Sequence, residues 1–587
     1  MTIGGSDRMT ERWDSLPAML LGLAARWRDR PMLRHWVRDG SGGDWQRMSW
    51  AGFAHAVAAA AAGLRARGVM PGDRVLLVSE NRPEFPIADT AIMAIGAVTV
   101  PTYTTNTVAD HAHILRNSGA RVAIASTAGL ASRIAEAARQ AQGRNEGGGN
   151  EGGGNDPGLD LLVCMEEAPG TLSWQALTAD PGDLALLVAE VAQIPPGRLA
   201  CLVYTSGTGG LPRGVMLPHR AMLANQAGLA TVVRRLKLEG ECYLSFLPLS
   251  HAYEHTVGNF LLPSLGMEVV YSRGADRLAA EFTEIEPALV TAVPRLFQVL
   301  RHRILTQVEK EAGWKQRLFR QAIALGLRRM DGPPLSLLER IEDAALDRLV
   351  RAKLRARFGR RLVAMVSGGA RLDPELSGFF LALGVTVLQG YGQTEAGPVV
   401  SVNLPWDNRR DSVGAPLPGV ETMIAEDGEL LLRGELVMDG YWNAPEATAA
   451  ALEGGWLHTG DTGEIDSAGH IVIRDRKKDF IKTLGGDMVS PAKIEGLLMA
   501  EPEIAQAVIA GEGRQGVVAL LVPAEGAEER VGPAVDRVNA RLSSIERIRR
   551  WRLVEPFTVE NGLMTPTLKV RRRIVLQQHA PLVEALY

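Results

Sequence analysis

Cysteine is scarce: the 587 residues hold three, Cys164, Cys201 and Cys242. Three cannot build a disulfide framework or a cysteine zinc site, and a reducing compartment suits them best. Long apolar runs are missing too. No stretch reaches the ~18 residues that would span a bilayer, and the richest, 54–64 and 90–100, read as buried core. Charge of one sign is also missing. Net charge is −3, from 64 Lys and Arg against 67 Asp and Glu, which excludes an electrostatic footprint for nucleic acid. The opening residues, MTIGGSDRMTERWDS, are polar and do not read as a signal peptide. A cytoplasmic setting follows, with peripheral contact at the inner face of a membrane left open. Lysine itself is rare: nine lysines stand against 55 arginines. Four of the nine fall between Lys477 and Lys493, and Lys569 stands alone near the C-terminus. A chain that uses arginine elsewhere points there to a need for compact ammonium groups.

What is present is ordinary for a globular protein. Hydrophobic residues make up 46% and charged residues 22%, and the length exceeds what one core can hold, so two or more domains are expected. Residues 49–68 read as a helix closed by Gly68, 73–79 as a buried strand, 84–96 as a helix, and 97–100 and 121–125 as further strands. Such alternation predicts layered α/β with parallel strands. Residues 143–157, GRNEGGGNEGGGNDP, predict a flexible surface insert. A charged helical insert is expected over about 295–360, broken at Asp331-Gly-Pro-Pro334, and a small β-region over 411–475. The predicted division is an N-terminal domain over 1–475, a hinge at 476–478 and a small α+β C-terminal domain over 479–587.

The most informative segment is Leu202-Val-Tyr-Thr-Ser-Gly-Thr-Gly-Gly-Leu-Pro-Arg-Gly-Val215. A strand-like run enters a loop of hydroxyls and glycines and meets a cation. Glycines let backbone N–H groups approach a polyphosphate, while hydroxyls and Arg213 add donors. It is not a Walker A loop, because no Gly-Lys-Ser/Thr follows, and not a dinucleotide fingerprint, because Pro212 takes the last glycine's place. The segment resembles the phosphate-binding loop of the adenylate-forming enzymes, with Gly209 and Arg213 where that family carries threonine and lysine. Five later segments resemble the same family in the same order. They are Ser367-Gly-Gly-Ala370, Gln389-Gly-Tyr-Gly-Gln-Thr-Glu395, Gly455-Trp-Leu-His-Thr-Gly-Asp461, Asp475-Arg-Lys-Lys-Asp-Phe-Ile-Lys482 with the glycines that follow, and Gly562-Leu-Met-Thr-Pro-Thr-Leu-Lys569. The last, with Leu568 where many members carry glycine, is similar to the long-chain fatty acid–CoA ligase branch.

The resemblance implies an acyl-CoA synthetase-like fold with a mobile C-terminal lid. It implies ATP-dependent conversion of a fatty acid to an acyl-adenylate, then transfer to coenzyme A, with Mg²⁺ as cofactor. Thr205, Ser206, Gly207, Thr208, Gly210 and Arg213 would hold phosphates, and Gly369, Ala370, Gln389, Gly390, Tyr391 and Gly392 the adenine. Thr394 would meet the α-phosphate, Glu395 and Thr208 the metal, Asp461 the ribose and Arg476 ribose or phosphate. Lys569 would be the catalytic ammonium, Lys478 the pivot, and Gly485 and Gly486 a wall for the pantetheine arm. Leu247-Pro-Leu-Ser-His-Ala-Tyr-Glu-His255 has two readings. As His-x-x-Glu-His it matches an inverted zinc-protease pattern, and it also resembles the acyl-pocket segment of this branch, with His251 near the substrate carboxylate. Two alternatives are a ligase that loads a carrier protein and a non-catalytic nucleotide-binding relative. Acyl chain length and oligomeric state are not legible.

Overall fold

Strand–helix alternation closes into two eight-stranded sheets, each parallel at its centre and antiparallel at one or both edges. The computed structural model describes residues 12–587 apart from 41, 144–157, 206–210, 275, 478, 486, 560 and 566–569. The first sheet is centred on Arg74–Val78, flanked by Val98–Thr102 and Val122–Ala125. On its far side Leu199–Thr205 turns back antiparallel as Arg213–Pro218. The second sheet runs from the hairpin Pro31–Asp39/Gly42–Ser49 through Glu268–Tyr271, Cys242–Ser245, Leu289–Ala292, Ala364–Ser367 and Val387–Gly392 to the edge strand Val399–Val402. Central strands buried on both faces explain the near-continuous aliphatic runs in the sequence.

Local signals account for the elements. Helix Trp50–Ala66 starts where the Ser49 hydroxyl accepts the Gly52 N–H at 3.1 Å. Beyond its end stands Gly68 with φ +82°, where a Cβ would be strained. Between the sheets lies helix Glu84–Ala94, with every residue from Phe85 to Ala94 buried. That is why its sequence shows no amphipathic period. The expected helical insert forms as Pro294–Glu309, Gly313–Asp331 and Leu337–Leu346, with the break where the Pro-Pro pair stands.

Four antiparallel strands, Glu421–Ile424, Glu429–Arg433, Leu457–Ile465 and Ile471–Arg476, form the small β-region. The chain then makes a hairpin, Ile481–Lys482 with Met488–Val489. A three-stranded sheet follows (Ile504–Ala510, Val517–Pro523, Ile548–Leu553), with helices Pro491–Ala500 and Val531–Asn539 closing a core of its own. The strand Ile548–Leu553, rich in arginine, has no counterpart in the sequence reading. It pairs in parallel with Val517–Pro523, and its Arg549, Arg550 and Arg552 are exposed while Ile548 is buried. The glycine-rich insert beyond Gly143 lies outside the described residues. No helix among the described residues is long and apolar enough to cross a membrane.

Candidate active site

The carboxyl ends of parallel strands are where open α/β sheets bind ligands, and three of the motifs, at Thr205, Ser367 and Val387–Gly392, sit there. Ser367 ends its strand, and Gly368 donates its N–H to the Ala292 carbonyl at 3.0 Å. Gly369 follows at φ +78°, a conformation open to glycine at no steric cost. Strand Val387–Gly392 carries Gln389, Gly390, Tyr391 and Gly392, and the turn Thr394–Ala396 follows at once. The antiparallel pair around the hydroxyl loop is in register with Thr205 opposite Arg213. Loop residues Ser206, Gly207, Thr208 and Gly210 lie outside the described residues, as do Lys478, Gly486 and Lys569.

A cavity of about 2330 Å³ joins these ends. Thr205, Arg213, His251, Gly369, Ala370, Gln389, Gly390, Tyr391, Gly392, Thr394, Glu395, Asp461 and Arg476 all line it. Gly485 does not. It lies exposed in the turn of the hairpin that ends at Val489. Thr565 and Val570, which flank the tail segment, also line the cavity.

Asp461 is the electrostatic centre of one wall. Strand pairing sets it opposite Arg476, whose Nε lies 3.3 Å from Oδ1. From the other sheet Tyr391 donates its hydroxyl to Oδ2 at 2.6 Å. Burial pushes the Tyr391 phenol well above its ordinary value and the Asp461 charge adds to that, so it remains a neutral donor. Burial alone would lower Arg476. The Asp461, Asp479 and Glu395 carboxylates outweigh it and hold the guanidinium above its ordinary value.

Glu395 is held by a residue that sequence reasoning missed. Tyr441 donates its hydroxyl to Glu395 Oε1 at 2.8 Å, and the Arg213 guanidinium lies 5.6 Å from the Tyr441 ring centroid. The edge pair Gly440–Tyr441 adds to the strand that starts at Arg213, which brings Tyr441 beside the loop. Its sequence surroundings, Gly-Tyr-Trp, carry no chemical signature. Only sheet pairing across more than two hundred residues places it.

The side chains of His251, Glu254 and His255 go separate ways. His251 caps helix Ala252–Thr256, its Nδ1 accepting the Tyr253 N–H at 3.2 Å, and its ring faces Tyr103 at 6.5 Å. His255, fully buried, sets Nε2 2.9 Å from Asp89 Oδ2. Glu254, also fully buried, accepts hydroxyls from Tyr243 at 2.7 Å, Ser245 at 2.6 Å and Thr291 at 2.9 Å. Among the described residues no three His, Cys, Asp or Glu side chains group to hold a metal ion. This segment ties the helix to two strands of the second sheet. The π-helical turn Val257–Leu261 follows and contributes Val257 and Leu261 to the cavity wall.

Burial pushes Glu254 up from the ordinary 4.5 to about 7, with the three hydroxyls pulling the other way. A carboxyl raised in the folded state stabilises fully below its unfolded value and loses that contribution as pH rises through the folded one. Stability should therefore fall between pH 5 and 8, by about 3 kcal/mol from this group. Glu254→Gln should flatten that slope in urea unfolding followed at pH 5, 6, 7 and 8. An unchanged slope would remove Glu254 as its source.

The AMP-binding enzyme family model matches residues 23–442, and that of the AMP-binding enzyme C-terminal domain matches 478–587. The chain is 34% identical over 574 residues to the long-chain-fatty-acid–CoA ligase FadD15 of Mycobacterium tuberculosis, covering 93% of each. It is 30% identical over 618 residues to the peroxisomal long chain acyl-CoA synthetase 7 of Arabidopsis thaliana, covering 94% of this chain and 83% of that protein. Among solved structures it is similar in fold to the anthranilate CoA ligase AuaEII bound to anthranoyl-AMP, with a TM-score of 0.72 at 22% identity over 98% of both chains.

Proposed function

This chain belongs to the AMP-binding enzyme family, in its long-chain acyl-CoA ligase branch, and from that premise we propose that it makes acyl-CoA from a fatty acid, ATP and coenzyme A. The observation that carries the reading is the convergence of widely separated motifs on one cavity, with Asp461, Tyr391 and Arg476 bonded together on one wall and Glu395 held by Tyr441 nearby. We divide the chain at 476–478, between the strand that ends at Arg476 and the hairpin that begins at Ile481.

A carboxylate is a poor acyl donor because its leaving group would be oxide. Attack on the α-phosphorus of ATP turns it into an acyl-adenylate with pyrophosphate leaving, and the barrier is largely the approach of one anion to another. Asp461 accepts the ribose hydroxyls and Tyr391 lies against the adenine. Thr205, the loop 206–210 and Arg213 hold the phosphates, and Thr394 meets the α-phosphate. Lys569 bridges carboxylate and phosphate oxygens as charge moves between them. His251, at the start of its helix, stands near the acyl carboxylate.

Mg²⁺ fits the donor set. One carboxylate, Glu395, on a cavity that Thr205 and Thr394 also line, suits a hard cation that takes one or two protein carboxylates plus substrate phosphates. Glu395 and Thr208 would hold it, and it would neutralise phosphate charge. In the second step the coenzyme A thiolate attacks the acyl carbon and AMP leaves. The C-terminal domain turns about Lys478, taking Lys569 away and bringing Gly485 and Gly486 against the pantetheine arm.

AMP release over a panel of carboxylic acids, with and without coenzyme A, tests the reading. Release should require a medium or long fatty acid and rise with coenzyme A, with thioester formed in equal amount. No release with any acid would support a nucleotide-binding relative without catalysis, and adenylate formation without thioester would support a carrier-protein acceptor.

A further inference from the structure

The helical insert turns its polar side inward. In helix Leu337–Leu346 the Asp343 carboxylate is buried and takes Arg351 at 2.7 Å and Arg329 at 2.9 Å. Arg351, itself fully buried, donates to the carbonyls of Ala322 at 2.7 Å and Asp343 at 3.2 Å. This polar knot decides which side of the helix faces the body. The opposite side meets solvent, and it is apolar. Leu337, Leu338 and Ile341 are 77%, 80% and 69% exposed, and Leu349 in the next turn 54%. The first three fall within about 100° around the helix axis. Soluble surfaces seldom gather large aliphatics in this way without a partner.

The helical insert as a whole is cationic. Residues 295–361 hold 17 Lys and Arg against 7 Asp and Glu, a formal charge of +10 in a chain of net −3. The remainder is therefore at −13. Arg340, Arg348 and Lys353 are exposed on this helical run and form no ion pair among the described residues. A second copy meeting this patch through a two-fold axis would bring the unpaired Arg340, Arg348 and Lys353 of each copy together, which disfavours self-association. Aliphatic side chains ringed by cations on the outward side of an amphipathic helix suit an interface of anionic headgroups over acyl chains.

We propose that the outward side of helix Leu337–Leu346, with its basic surround, docks on an anionic phospholipid surface, so that a fatty acid passes from the bilayer to the cavity. The insert's first helix springs from the cavity wall, which Pro294, Arg295 and Gln298 line. The docking rests on this face alone, and only the delivery of substrate rests on the ligase reading.

The test uses the full chain, pelleted with vesicles of phosphatidylcholine alone or with one-third phosphatidylglycerol. Binding should favour the anionic vesicles by about tenfold or more and weaken as salt rises. The variant Leu337→Gln/Leu338→Gln/Ile341→Gln should lose about tenfold or more of that binding, and Arg340→Glu/Arg348→Glu should lose a similar factor. Both should elute like the parent on gel filtration and keep AMP release with a cyclodextrin-solubilised fatty acid. Equal pelleting with neutral and anionic vesicles, or undiminished binding by both variants, overturns the docking. A change of oligomeric state in the aliphatic variant assigns the patch to a second copy and overturns it as well. Vesicle binding needs no turnover. If it holds while no fatty acid supports AMP release, the ligase reading and the delivery step fall and the docking stands.

Discussion

Replacing Lys569 by alanine should slow acyl-adenylate formation by about 10²–10³-fold, the usual loss when one aimed charge is removed from a transition state. Thioester formation from preformed acyl-adenylate should stay within a few-fold of the parent rate. The asymmetry follows from the charges. In the first step a carboxylate approaches a triphosphate, and an ammonium between them offsets a repulsion that Glu395 on the same cavity would otherwise worsen. In the second, the carboxylate charge has already been lost to the adenylate. Thr565 and Val570, the described neighbours of this segment, line the cavity that holds Glu395 and Asp461. Lys478→Pro should reverse the pattern, because it restricts the backbone change needed for the second arrangement while sparing the first. Single-turnover assays of the two half-reactions settle the matter. Equal loss in both by Lys569→Ala would give that lysine another role, and equal loss by Lys478→Pro would remove the hinge.

Under the proposed ribose assignment, Asp461→Ala should weaken ATP binding by about 100-fold, close to 3 kcal/mol, because two hydrogen bonds to a charged acceptor would be lost together. The substitution also removes the acceptor of the Tyr391 hydroxyl and the partner of Arg476. A partly buried phenol and a half-exposed guanidinium are then left to find other partners, which adds to the loss. Isothermal titration with ATP measures the effect directly. A dissociation constant equal to that of the parent would contradict the ribose assignment. Asp461→Asn separates the two contributions, since the amide keeps the shape of the carboxylate and an acceptor for one donor while giving up the charge.

Much of the cavity lining was legible because residue types suited to phosphate and ribose stand at short spacing. Glycines beside hydroxyls before Arg213, and a carboxylate after Thr-Gly at Asp461, are such local patterns. Tyr441 was not legible. Its contribution is one hydroxyl delivered to Glu395 from an edge strand paired with the strand after the loop, and nothing near it in sequence reports that pairing. The segment 251–255 had two readings for a related reason. His251, Glu254 and His255 are spaced like metal ligands, yet Asp89 from the helix between the sheets takes His255, and three hydroxyls from two strands take Glu254. A ligand pattern and a buried hydrogen-bond network use the same side chains, so spacing could not separate them.

The same division holds for the fold. Strand and helix alternation, caps such as Ser49 and the break at the Pro-Pro pair are written in periods and in single residues, because they arise from backbone geometry over a few neighbours. The order of strands in two eight-stranded sheets, and the inward turn of the polar side of helix Leu337–Leu346 around buried Arg351, are not. By itself the sequence determined the elements, the residue types that gather at one cavity and the family. Only the tertiary structure decided which distant side chains share a charge, because such pairs depend on contacts that no local pattern encodes.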